Sequence, residues 1–267
     1  ARLSLMNFQD FLPERVQLFF ISATLEISRK VNLAQLLGFQ AYQFYHLPAK
    51  NYHQQRIWVD KDFPDLVDLP LSQHARLIAE RIESLSSLNL PILVLFTSKE
   101  LLLEVSENLP LQHLAQYKNG DASNIKRRFD RGEAPILLGT GSFWEGTDFS
   151  SQDKMIQIIT RLPFDNPQNV FTQKMNRRLR LEGKNPFYDY GLPVAILRLK
   201  QALGRTVRHR KQQSAVLILD NRVYTKRYSR QIRGVLTKTA PIEQSSFYQI
   251  RQDIGLVFGD QRIFKNF

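Results

Sequence analysis

Two short, unbroken apolar runs constrain this chain most. Pro91–Phe96 (P-I-L-V-L-F) and Ala134–Leu138 are strand-length and show no polar alternation, so both read as strands covered on both faces. Ser214–Asp220 (S-A-V-L-I-L-D) is a third such strand, ending in an acid, and Lys154–Thr160 a fourth. Arg56–Val59 and Val16–Ile21 are strand-like, and Leu111–Ala115 is a weaker strand. Helical spacing of apolar residues fills the intervals: 31–38, Ser72–Leu88, Glu100–Leu109, Ser123–Arg131, Gln168–Leu181, Leu192–Arg208, Thr225–Thr237 and Gln244–Val257. Buried strands alternating with helices predict an α/β layered fold with a mainly parallel sheet flanked by helices. In such sheets, function gathers at the loops after the strand C-termini, where the residues of interest are expected to lie.

At 267 residues the chain is long enough for a substantial core. No apolar run approaches the roughly 18 residues of a membrane span, so no membrane partner is expected. No basic-then-apolar leader follows Ala1, so secretion is not expected. An opening on Ala1 rather than methionine points to a piece of a longer polypeptide. The absence of cysteine excludes disulfides, thiolate metal sites and cysteine nucleophiles in these residues, and is compatible with a cytoplasmic location. His46, His53, His74, His113 and His209 show no zinc-ligand spacing, so no metal site is expected. Asp60, Asp62, Asp65 and Asp68, beside Pro64 and Pro70, read as a solvated loop rather than a divalent-metal site.

The net charge is +12, from 37 basic and 25 acidic residues, which suits a polyanionic partner such as nucleic acid. Between Arg198 and Arg233 there are eleven Lys/Arg against one acid, Asp220. A second cluster, Lys174, Arg177, Arg178, Arg180 and Lys184, has only Glu182 against it.

Two segments carry chemistry. In Gln201–Arg208 (Q-A-L-G-R-T-V-R), Gln201, Arg205 and Arg208 are spaced four and three apart, which on a helix places them on one stripe. Guanidiniums fork onto phosphate oxygens, and charge building on a transferring phosphoryl group needs such partners. Yet no G-x-x-x-x-G-K-[ST] loop and no acidic magnesium motif occurs: the arginine side of a nucleotide site is present without the side that holds the nucleotide. The second segment is Gly139–Ser150 (G-T-G-S-F-W-E-G-T-D-F-S), whose three glycines permit tight turns. Glu145 and Asp148 flank Gly146 and are placed to meet a ribose hydroxyl, a metal-bound water or an arginine; equally, the loop is a connection with Trp144 plugged into the core.

The ordered set S-A-T-L (22–25), L-V-L-F-T-S (93–98), G-S-F-W-E-G-T-D-F (141–149), R-L-P-F (161–164) and Q-A-L-G-R-T-V-R (201–208) resembles the second motor domain of superfamily 2 helicases. Within them it is most similar to the XPD-like, DinG-type group, from about residue 15 to about residue 235. The resemblance implies a RecA-like domain, a P-loop-NTPase-like fold without the phosphate loop. Such a domain closes over ATP and Mg2+ bound mainly by the first motor domain of the same polypeptide. Residues 1–25 would be the exit from that first domain and residues 26–267 the second. Arg205 and Arg208 would be arginine fingers, with Gln201 orienting them or the attacking water. Glu145, Gly146 and Asp148 would line the ATP cleft and couple it to DNA. Single-stranded DNA would touch Ser98, Lys99, Trp144 and Arg161. Several relatives carry an attached exonuclease domain.

One departure stands out: Gln212 and Ser214 occupy positions where many relatives have Asp and Gly, and the lost acid would usually order the turn after Arg208. A different reading stays open, that of a non-enzymatic nucleic-acid-binding module derived from a helicase domain. A general polyanion-binding domain is a third.

Overall fold

The structure, a computed structural model, describes residues 19, 26–28, 31–32, 43, 45, 54–65, 69–149, 151–207 and 210–259. The chain divides into two compact units, Ala1–Lys50 with Pro163–Arg198, and Asn51–Leu162 with Leu199–Phe267. In the first unit, β1 (Glu26–Ser28) pairs antiparallel with β2 (Val31–Asn32). It also contains α4 (Val170–Leu181), whose start is capped by Asn169 accepting from Phe171 N, and a π-turn at Phe187–Gly191. The Phe187 ring there lies 5.5 Å from Phe164 and 5.2 Å from Tyr188.

The second unit is built on a seven-stranded sheet. In chain order its strands are β3 (Gln55–Asp60), β4 (Ile92–Leu95), β5 (His113–Ala115), β6 (Ile136–Gly139), β7 (Lys154–Ile159), β8 (Gln213–Ile218) and β9 (Ile242–Ser245). They lie side by side as β5-β6-β4-β7-β8-β3-β9, every pair parallel. Parallel neighbours require crossovers, and the helices supply most of them: α1 (Leu71–Ser86), α2 (Lys99–Asn108), α3 (Ala122–Asp130), α5 (Leu192–Leu203, which begins in the first unit), α6 (Arg222–Thr225), α7 (Ser229–Leu236) and α8 (Phe247–Gly259). One sheet face, with Trp58, Val94, Ile156, Ile158, Ala215 and Leu217, forms a continuous core with α1, α2 and α8. Helix α1 serves that core because His74, Ala75, Ile78, Ala79, Ile82 and Leu85 fall on one helical face, all buried. Each fully buried Ile or Leu there contributes about 1.5–3 kcal/mol.

Register matters for function. Gly139, Leu95, Ile159, Ile218 and Val59 pair in one row, so five strands end level with one another. The sheet therefore has a well-defined C-terminal edge.

The predicted α/β architecture is present, with four differences. Val31–Asn32 is a strand, not the start of a helix. Helix α5 stops at Leu203, not Arg208, because Gly204 and Arg205 form a turn closed by Gly204 N→Lys200 O and Arg205 N→Ala202 O. The segment expected to form the last helix opens instead with strand β9, laid parallel to β3. The acidic stretch is a solvated loop only in part: Asp62 and Asp65 are exposed, while Asp60 is the last residue of β3. Asp60 is fully buried against Arg81 Nε at 2.9 Å, and Asp62 accepts from Phe247 N at 3.0 Å. Asp68, most of Val16–Ile21 and all of the S-A-T-L segment lie outside the described residues.

Candidate functional site

The C-terminal edge of the sheet collects residues from four loops. Ser98 follows β4 and caps α2: its Oγ accepts from Leu101 N at 3.1 Å and donates to Glu100 Oε2 at 2.8 Å. Lys99 is exposed, its Nζ 4.8 Å from the centre of the Tyr117 ring. Arg161, half-buried, follows β7. Asp220 follows β8, is 2% exposed, accepts from Leu162 N at 2.8 Å, and pairs with Arg222 Nη2 at 2.6 Å. Burial opposes the charge on Arg222, but the Asp220 carboxylate more than offsets it and the guanidinium's pKa is raised. His74 lies behind this edge, 5.7 Å from the Phe63 ring, with Nε2 buried and unpartnered among the described residues. Burial, and then the charge of Arg161, push its pKa down to about 4, against a smaller upward pull from Asp220.

The arginine segment sits elsewhere. Gln201 lies in the last turn of α5 and Arg205 in the turn beyond it, both half-buried. Neutral side chains from three strands hold this helix end. Gln157 Nε2 (β7) donates to Ala202 O and Gln55 Nε2 (β3) to Leu203 O, both at 3.1 Å. Thr206, fully buried, accepts from Ser214 Oγ (β8) at 2.8 Å and from Gln55 Nε2 at 3.1 Å. The last carbonyls of a helix lack intrahelical donors, and these amides supply them. Ser214 and Gln55 are among the first residues of their strands, so Arg205 is set near the N-terminal side of the sheet, not at the loops after the strand C-termini.

The connection from β6 to β7 joins the two regions. At the C-terminal edge Trp144, 4% exposed, donates from Nε1 to Phe96 O at 2.7 Å. Gly139 is needed just before it, since a Cβ there would meet the Phe143 ring at 2.3 Å. Gly146 takes φ +98°, a left-handed turn that suits glycine, between exposed Glu145 and exposed Asp148. At its far end Phe149 is buried against Phe129 (6.1 Å) and Phe143 (6.3 Å). Gln212 Nε2, immediately before β8, donates to Phe149 O and Gln152 O at 3.1 Å each.

Several expectations change as a result. Trp144 is buried and hydrogen-bonded, so its ring anchors the loop and presents no surface to a strand. Arg205 does not share a helical stripe with Gln201, because the helix has ended. Arg208 lies outside the described residues. Gln212 and Ser214, the departures from the family pattern, fasten the carbonyls of the β6–β7 connection and Thr206. Sequence reasoning missed Gln55, Gln157 and Thr206. The available signal was a polar residue inside an apolar strand, as in K-M-I-Q-I-I: an amide there must find a buried partner. Among the described residues no group of three or more His, Asp or Glu side chains is placed to hold a metal ion.

With this geometry in place, comparison with known proteins is direct. The helicase C-terminal domain family matches residues 82–239. The chain is 31% identical over 207 residues to the Bacillus subtilis (strain 168) protein named 3'-5' exonuclease DinG, covering 74% of this chain and 22% of that protein. It is 28% identical over 223 residues to the Haemophilus influenzae ATP-dependent DNA helicase YoaA, covering 78% and 33%. The chain thus spans between about a fifth and a third of these relatives' length. A solved XPD helicase structure superposes with a TM-score of 0.56 at 17% identity, over 72% of this chain and 35% of that one, a likeness in fold. The chain belongs to the helicase C-terminal domain family, has DinG and YoaA proteins among its relatives, and shares the fold of an XPD helicase.

Proposed function

We propose that this chain is the second motor domain of an ATP-dependent DNA helicase or translocase, inactive as an ATPase by itself. ATP and its Mg2+ are held mainly by a first motor domain, with residues 1–25 as the exit from that domain and residues 26–267 as the second. The name of the YoaA relative supports ATP as fuel and DNA as substrate, and that of the DinG relative supports an attached exonuclease. Arg205 and Arg208 reach the γ-phosphate when the domains close, and Gln201 orients them or the attacking water. A guanidinium stabilises charge on the transferring phosphoryl group without needing a proton transfer. Glu145, Gly146 and Asp148 line the ATP cleft. Lys99 and Arg161 grip the DNA backbone, and Ser98 holds the helix start that presents Lys99.

The observation that carries this reading is the placement of Arg205 on a turn fixed by a buried network of Gln55, Gln157, Thr206 and Ser214. A preorganised guanidinium loses little entropy on engaging phosphate. Gln212, two residues before Ser214 of the network, hydrogen-bonds the connection that runs to the C-terminal edge, and this gives nucleotide and strand a route of communication. The test uses the polypeptide that joins this chain to its first motor domain. Arg205→Ala is expected to lower DNA-stimulated ATP hydrolysis by about 10³–10⁵ while ATP binding persists. Near-wild-type turnover would sink the finger assignment. No hydrolysis in the wild type would favour a non-enzymatic DNA-binding module.

A further inference from the structure

Strands β5, β6 and β4 are neighbours that end side by side, and each hands one residue to a single spot on the C-terminal edge. Tyr117 follows β5, Thr140 follows β6 and Lys99 follows β4. Tyr117 Oη lies 2.8 Å from Thr140 Oγ1. Thr140 is held in turn by Gln116 Oε1, which accepts from its backbone N at 2.8 Å and from its Oγ1 at 3.2 Å. Lys99 Nζ stands 4.8 Å from the centre of the phenol ring.

Tyr117 is an expensive residue in this place. Its φ is +74°, the left-handed region that glycine enters freely and a bulky side chain does not. Strain of that kind persists where something else requires the side chain. The core does not require it, since Tyr117 is 50% exposed. What remains is a half-exposed aromatic ring, fixed at its hydroxyl end and at its backbone, with a flexible ammonium beside it. Thr97, Gly141 and Ser142, which follow β4 and β6, are small and exposed, and a Cβ added at Gly141 would meet nothing within 4 Å. The nearby acids are engaged: Glu100 accepts from Ser98 Oγ, and Glu107 pairs with Lys118.

We propose that Tyr117 and Lys99 form a subsite for one nucleotide of a single strand, the base stacking on the phenol ring and the ammonium taking an adjacent phosphate. Stacking on an aromatic side chain beside a cation is the chemistry by which proteins hold single strands without reading sequence. The subsite rests on the proposal that this edge carries the DNA.

Glycine at 117 separates function from folding, because it releases the strained backbone while deleting the ring. Binding of oligothymidylate containing a single 2-aminopurine is measured on the intact polypeptide, by anisotropy and by the stacking-sensitive fluorescence of the probe base. Tyr117→Gly is expected to weaken binding by about tenfold and abolish the fluorescence change, with a Tm equal to or above that of the wild type. Tyr117→Phe should keep most of the affinity. On a strand with an abasic residue in place of the probe base, wild type and Tyr117→Gly should bind more nearly alike. Wild-type affinity in Tyr117→Gly, alongside weakened binding in Lys99→Ala and Arg161→Ala, would overturn the subsite and leave the strand track standing. A wild type that does not bind the oligonucleotide would remove the track and the subsite together.

Discussion

The two ends of the same sheet are held by different chemistry. At the C-terminal edge, charge joins neutral bonds such as Trp144 Nε1 to Phe96 O in fastening the loops: Asp220 pairs with Arg222 and Asp60 with Arg81. Towards the N-terminal side, the end of α5 is fastened by neutral groups: two glutamine amides, a threonine and a serine. The buried carboxylates lose hydration and recover it through a close guanidinium and backbone N–H groups, so each pair works as a unit. A neutral amide loses far less on burial and gains about 0.5–1.5 kcal/mol per bond made. The end of α5 that precedes Arg205 thus rests on a neutral support. The C-terminal edge, by contrast, uses Arg222 and Arg81 to hold itself together.

Unequal cost is the sharpest way to test that contrast. Asp220→Ala should be the most damaging, since it strands Arg222 and the Leu162 N–H together. A loss of about 3–5 kcal/mol in denaturant unfolding is expected, and a loss below 1 kcal/mol would show the pair to be solvated. Thr206→Val keeps the shape but removes the acceptor used by Ser214 and Gln55. A loss of about 1–3 kcal/mol is expected, with lowered ATP turnover in the two-domain polypeptide. Unchanged turnover would break the link between the network and Arg205. At neutral pH the smallest effect is that of His74, which is pH-dependent. Its folded pKa, near 4, is below the unfolded value of about 6.5. The unfolded chain therefore binds the proton first, and His74 costs stability as pH falls from about 6.5 towards 4. Relative to wild type, His74→Leu should gain thermal stability progressively through that window and show no such gain above pH 7. Parallel melting curves at all pH values would refute the assignment.

How much was legible beforehand differs between these regions. Ile92–Leu95, Ile136–Gly139 and Ala215–Ile218 announce themselves as apolar runs, because a strand covered on both faces has few positions for a polar side chain. Strand β9, I-E-Q-S, carries no such mark, since at the sheet border half its residues face water and only pairing with β3 defines it. The arginine segment was found by spacing, yet spacing assumed a helix that Gly204 ends. Trp144 shows the same limit: a tryptophan in a glycine-rich loop suits a surface platform or a core plug equally. The carbonyl of Phe96, 48 residues earlier in the chain, made it a plug.

Local pattern by itself determined the inner strands of the sheet, most of the helices and the family, because hydrophobic burial and short-range motif order are written along the chain. Tertiary structure alone decided which polar residues face one another: Gln157 with the end of α5, Gln212 with the loop carbonyls, Tyr117 with Thr140 and Lys99. Those partners are far apart in sequence, and a hydrogen bond depends on distances of tenths of an ångström, which only the assembled sheet brings about.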